Sequence, residues 1–126
     1  MSNSVRLASW ITAVNVLVAS GFCIAGLVRP QSVLPLGSVP TVASLTFALY
    51  AAARTVPLAV TALIAIYRRS IPMLLVLGAL AGVIQLLDGT IGVYQHDWGK
   101  SVGPFAVAAF QFYALFKLRK SASTTV

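Results

Sequence analysis

The sequence predicts an all-α fold: a four-transmembrane-helix bundle that runs up-down-up-down, with both termini cytoplasmic. Three observations carry that expectation. Of the 126 residues, 59% are hydrophobic and 9% charged, and mean hydropathy is +0.92. A soluble domain of this size leaves too much of its chain on the surface to hide so many apolar side chains. The apolar residues fall in four continuous runs, and the basic residues gather at the ends of those runs. Low charge with high hydrophobicity also excludes a disordered chain.

The first run spans about 7–28 and stops at Arg29-Pro30. Its length exceeds the 7–15 apolar residues usual in a signal peptide, and a single Arg precedes it, so it reads as a retained span. The second covers about 41–67, entered through Pro40 and closed by Arg68-Arg69. The third covers about 71–94, with Pro72 in its first turn, where a missing N–H is harmless. The fourth is the shortest, about 102–118, opening at Gly103-Pro104 and closing at Lys117, Arg119 and Lys120. Roughly 20 helical residues cross the hydrocarbon core. Helices are expected because the runs do not alternate and because open strands would leave backbone groups unpaired in lipid. Residues 1–126 read as a single integral membrane domain, the connections being short and residues 121–126 a small polar tail.

Nine Lys and Arg against two acids give a net charge of +7. In a soluble chain that balance would point to nucleic acid, but these bases form no patch with aromatic interleaving, and no nucleic-acid partner is expected. Arg6, Arg68, Arg69, Lys117, Arg119 and Lys120 fall on one side of the predicted bundle, and Arg29 and Lys100 on the other. The positive-inside rule places the first group in the cytoplasm. Trp10, Tyr67 and Phe116 then approach the inner interface, and Tyr94 and Trp98 the outer one, as aromatic belts do. The membrane is that of a bacterial inner membrane or a eukaryotic one.

The ninth base, Arg54, falls at the middle of the second span. A charge at a helix centre costs upward of about 2.5–3.5 kcal/mol, so it calls for a partner. Asp88 is the sole acid within a span, roughly 8 Å outward of Arg54 at 1.5 Å per residue, and a buried or water-lined Arg54–Asp88 pair is expected. Gln85, Asp88, Gly92 and Gln95 share one helical face. Asn15, Tyr50 and Gln111 are placed to join it from the other helices, and the whole is predicted to line a polar cavity opening outward. His96 is expected near its mouth.

Two readings of this cluster compete. In one it only fixes helix register, through interhelical hydrogen bonds each worth about 0.6–2 kcal/mol. In the other it is a functional site, since ionisable groups within a membrane mark substrate, ion or proton routes. The second divides into a site for binding or converting a small hydrophobic molecule, with Asp88 as acid or base and Arg54 holding its charge, and a small transporter or channel subunit. A structural or accessory protein is the alternative to both.

Other motifs are weaker. Gly78-Ala79-Leu80-Ala81-Gly82 is a GxxxG, suited to packing within the chain or to a homo-oligomer through Gly78 and Gly82. Cys23, the one cysteine, reads as apolar filler and excludes a disulfide framework. His96-Asp97-Trp98 lacks the three or four ligands a metal needs, and no metal or other cofactor is expected. No nucleophile elbow frames Ser101.

The sequence Ala53-Arg54-Thr55-Val56-Pro57-Leu58, the basic turn Arg68-Arg69, the Gly/Ala-rich third span and Leu87-Asp88-Gly89 together resemble the DoxX-like four-helix membrane proteins, many of them domains of unknown function. The resemblance covers most of the chain. It implies the same fold and an integral membrane location, and some DoxX-type proteins serve as membrane subunits working with quinones. Relatives carry an Asp just after the Arg and a His opening the fourth helix; Thr55 and Gly103-Pro104 stand there in this chain, so no activity using those groups is implied. Small multidrug exporters share the size and helix count but rely on a carboxylate in the first helix, where this chain has Asn15.

Overall fold

The computed structural model describes residues 1–125. These form four helices, α1 (Asn3–Val28), α2 (Val42–Tyr67), α3 (Ile71–Tyr94) and α4 (Trp98–Thr124), with one 3-10 turn at Pro30–Ser32. All four are long and apolar enough to cross a membrane. At most 33% of each helix's apolar stretch is buried inside the chain. The remainder, including Phe22, Phe47, Val76 and Phe110, is exposed. A surface of that kind is stable against lipid tails and not against water.

Local chemistry explains where each helix starts. Ser2 caps α1 by accepting a hydrogen bond from the Val5 N–H, and Thr41 caps α2 in a capping box with Ser44. These side chains satisfy N–H groups that no helical carbonyl can reach. Asp97 caps α4 by accepting from the Lys100 N–H.

That cap corrects the expected fourth span. The helix begins at Trp98, so Gly103-Pro104 lies inside it and does not open it, and it runs on to Thr124. Pro104 is tolerated because it removes one donor early in a helix whose first turn is already anchored by Asp97 and by the Ser101 hydroxyl on the Asp97 carbonyl. At the other end Ser123 and Thr124 hydroxyls fold back on the Lys120 carbonyl and prolong the polar last turn.

The two tightest links share one device. At 68–70 and at 95–97 the chain leaves a helix through paired hydrogen bonds, Ser70 N–H to Ala65 O with Arg69 N–H to Ile66 O, and Asp97 N–H to Gly92 O with His96 N–H to Val93 O. The central residues, Arg69 and His96, have φ of 52° and 54°. This left-handed helix stop usually carries glycine, and a side chain there is mildly strained.

Packing is uneven. The most extensive seam joins α3 to α4, and α2 makes no substantial contact with α4 among the described residues. Near the Arg68-Arg69 link, Val5, Ala8, Leu74, Ala114 and Leu118 form a closed cluster with Ile66 and Ile71 against it. A second cluster above it joins Val16 of α1, Ala59 and Ala62 of α2 and Ala81 of α3. The buried residues of α2, namely Ala59, Ala62 and Ala65, all follow Pro57; none precedes it. The bundle is thus tight at its basic end and loosened at the end bearing His96.

Candidate functional site

The α3 face that meets α4 is a column of small residues. A methyl group added at Gly78 would lie 2.8 Å from Gln111 Nε2 and 2.9 Å from Leu115 Cδ2; at Gly82 and Gly89 it would strike the rings of Phe112 and Phe105. At Gly92 it would sit 2.5 Å from the Lys100 carbonyl oxygen. Gly78 and Gly82 are therefore covered by α4 of the same chain. The expected homo-oligomer through these two glycines has no free GxxxG face to use, because close approach of α4 already fills it.

Lack of a side chain at Gly78 makes room for a polar chain across the bundle. Gln85 Nε2 donates to Asn15 Oδ1 at 2.8 Å, Asn15 Nδ2 donates to Gln111 Oε1 at 3.1 Å, and Gln111 Nε2 donates to Thr12 Oγ1 at 2.8 Å. All four residues are buried, with Gln85 the most accessible at 4%. They tie α3 to α1 and α1 to α4. Three of them were candidates from sequence; Thr12 was not, although it stands three residues before Asn15 and so shares its face.

Beside this chain lies a cleft of about 470 Å³ with walls from all four helices. Gln85, Asp88, Gly92 and Gln95 all contribute to it, as the shared face of α3 requires. The rest of its lining is chiefly apolar, from residues such as Val18, Phe22 and Ile84. Thr55 of α2 and Pro104 of α4 flank it. Cys23, half-buried, lines it too.

Arg54 is not in the cleft, and no Arg54–Asp88 ion pair forms; among the described residues the ion pair is Lys100 Nζ to Asp97 Oδ2 at 3.3 Å. Helix phase is the reason. The residues of α2 that line the cleft, Ala48, Ala51 and Thr55, centre about 90° from Arg54 at 100° per residue, and Arg54 is left exposed on the flank. Its guanidinium lies 5.8 Å from the ring centroid of Tyr50, one turn earlier. Tyr50, expected to join the polar cluster, is likewise exposed and faces away from it. Asp88 is exposed to the cleft. The predicted polar cavity around both charges is thus a mainly apolar cleft with one of them in its wall.

The group 96–98 is structural. Asp97 caps α4 and holds Lys100, whose Nζ also donates to the Val33 and Leu34 carbonyls at 3.3 and 3.2 Å. This pins the first turn of α4 to the loop after α1. Lys100, read from sequence only as an orientation signal, thereby lines the cleft. His96 is exposed, does not line the cleft and serves as the left-handed residue of the helix stop. Among the described residues no group of His, Cys, Asp or Glu is arranged to hold a metal.

No family profile matches this chain, and neither does any curated protein or solved structure. The fold and site define a class, a small helical integral membrane protein, and the DoxX-like resemblance rests on the residue pattern alone.

Proposed function

We propose that this chain is a multi-pass membrane protein, an up-down-up-down bundle with cytoplasmic termini, whose cleft binds a small hydrophobic molecule entering from the lipid. The observation that carries the reading is Asp88, the one acid within a span, set in the wall of a mainly apolar cleft beside Gln85 and Gln95. An apolar pocket with a few convergent polar groups is the usual form of a small-molecule site. The topology is supported by the three-residue links at 68–70 and 95–97 and by the gathering of Arg6, Arg68, Arg69, Lys117, Arg119 and Lys120 at one end.

An ionised Asp88 accepts hydrogen bonds and donates none, so the occupant it favours carries a donor head, an alcohol or amine, on an apolar body. A quinone, which offers acceptors, fits instead if Asp88 holds its proton. Where the occupant is converted and not merely held, as in an isomerase or cyclase reaction, Asp88 is the group in the cleft able to exchange a proton. Arg54 has no part in this site within one chain.

Cys23 supplies the test, being the only cysteine and a lining residue. In liposomes its alkylation by N-ethylmaleimide is expected to slow when farnesol or decylubiquinone is added, and the Asp88→Asn variant is expected to lose that protection for farnesol. Alkylation indifferent to both probes and to the substitution would remove the ligand reading and leave the cleft as a packing defect beside a structural bundle.

A further inference from the structure

Two charges stand in the spans without a partner. Arg54 is exposed on the flank of α2 with only the Tyr50 ring beneath its guanidinium, and Asp88 is exposed in the cleft wall with no ion pair. Neither position suits an isolated ion in lipid. Arg54 stands at the cleft's rim: Ala51, one turn before it, and Thr55, beside it, both line the cleft, while Arg54 itself points outward.

We propose that two copies of this chain pair side by side in the membrane, Arg54 of each reaching into the cleft of the other and meeting its Asp88. Such a contact is self-complementary. A two-fold axis along the membrane normal brings residue 54 of one chain to residue 88 of its mate and, by the same operation, the reverse, so both unpaired charges of both chains are satisfied together. The axis preserves depth, leaving Asp88 the same short step outward of Arg54 between chains as within one, a distance an Arg side chain covers. The fork of the guanidinium also suits a carboxylate better than any other group a lipid-facing helix offers. The surface for this contact is free. No residue of α2 before Pro57 is fully buried, whereas the glycine column that would ordinarily join two helices is spent on α4.

The pairing rests on the membrane-spanning reading but needs no ligand, so it stands or falls separately from occupancy of the cleft. In the dimer the site gains a residue it lacks in one chain, a cation fixed beside Asp88.

Charge exchange between chains tests it. In Arg54→Asp the two contacts of a homodimer become acid on acid, and in Asp88→Arg they become base on base. When the two variants are co-expressed with different affinity tags, both contacts of a mixed dimer are complementary. The expected result is that each variant alone is monomeric, and that each tag recovers the other chain from gently solubilised membranes as efficiently as wild type recovers wild type. A pair formed within one chain would leave the mixture as two monomers and would overturn the proposal. Because either substitution risks misfolding, wild type is also read directly. Single-molecule photobleaching in phosphatidylcholine/phosphatidylglycerol liposomes is expected to show two steps, with Arg54→Met needing about thirtyfold more protein per lipid, or beyond, to pair. One-step bleaching of wild type at every density would overturn the proposal with no variant involved.

Discussion

Asn15, Gln85, Gln111 and Thr12 form an unbroken donor-to-acceptor chain inside the bundle, whereas Arg54 and Asp88, the only charges well inside the spans, are exposed and unpaired. Both groups confront the same low-dielectric surroundings. The amides answer them internally, since each side chain that would be costly alone is matched across a helix interface. The charges look outward, one to the cleft and one to the flank of α2. The contrast follows the packing: the amides lie where α1, α3 and α4 close on each other, and the charges lie at the cleft and its rim, level with the part of α2 that has no fully buried residue. The amide chain and the two charges meet only at Gln85, which also lines the cleft, so the two groups can be broken one at a time.

The largest expected effect is on the amide side. Asn15→Leu removes the central member and strands Gln85 and Gln111 together, each a buried polar group with one partner gone. A loss of about 2–4 kcal/mol is expected, from about 1–3 kcal/mol per stranded group. Unfolding of the purified protein in mixed micelles by increasing dodecyl sulfate measures it. A change below about 1 kcal/mol, near the average single hydrogen bond in membrane proteins, would mean that water or rearranged side chains replace the chain and that the contrast with Arg54 and Asp88 is one of exposure only.

The next effect tests the seam that holds the amides in place. Gly92→Ala drives a methyl group against the Lys100 carbonyl, which is backbone and yields poorly, whereas at Gly82 the neighbour is the Phe112 ring, which can turn. Overpacking costs about 1–3 kcal/mol, and Gly92→Ala is expected near the top of that range with Gly82→Ala below it. Equal losses at both positions would show that α4 moves as a rigid unit. A smaller gain is expected from His96→Gly, about 0.5–1 kcal/mol, because the residue sits at φ 54° and its side chain makes no contact that the cleft uses. The same dodecyl sulfate titration reads both.

The four helices were legible because lipid imposes a length and composition that few other environments do, and the third apolar run, about 71–94, coincides with α3. The helix that carries the fourth run, about 102–118, extends beyond it at both ends: Gly103-Pro104 looks like a start, and the Asp97 cap, a contact of one side chain with one N–H, shows that the helix is already under way. Gln85, Asp88, Gly92 and Gln95 were correctly put on one face since helical phase is local. The Arg54–Asp88 pair failed for the converse reason. Depth along two helices can be counted from sequence, but the rotation of α2 about its own axis is set by tertiary packing, Ala59 and Ala62 meeting Val16 of α1 and Ala81 of α3, and Arg54 is left exposed. Thr12 was missed because a threonine in an apolar run ordinarily bonds to its own helix.

The smallest effect sharpens the comparison most. If Arg54 and Asp88 carry no part of the monomer's packing, Arg54→Met and Asp88→Asn should each change unfolding in dilute detergent by less than about 0.5 kcal/mol, as surface substitutions do. The double variant should then equal the sum of the singles, because groups that do not touch in one chain have no coupling to lose. An excess of 1 kcal/mol or more in that cycle would mean that the side chains meet within the monomer in solution, with Arg54 swung from Tyr50 into its own cleft. Additivity in detergent together with strong interdependence of the same two positions in bilayers would assign the interaction to a second chain, and would leave the amide chain as the sole polar framework of the fold.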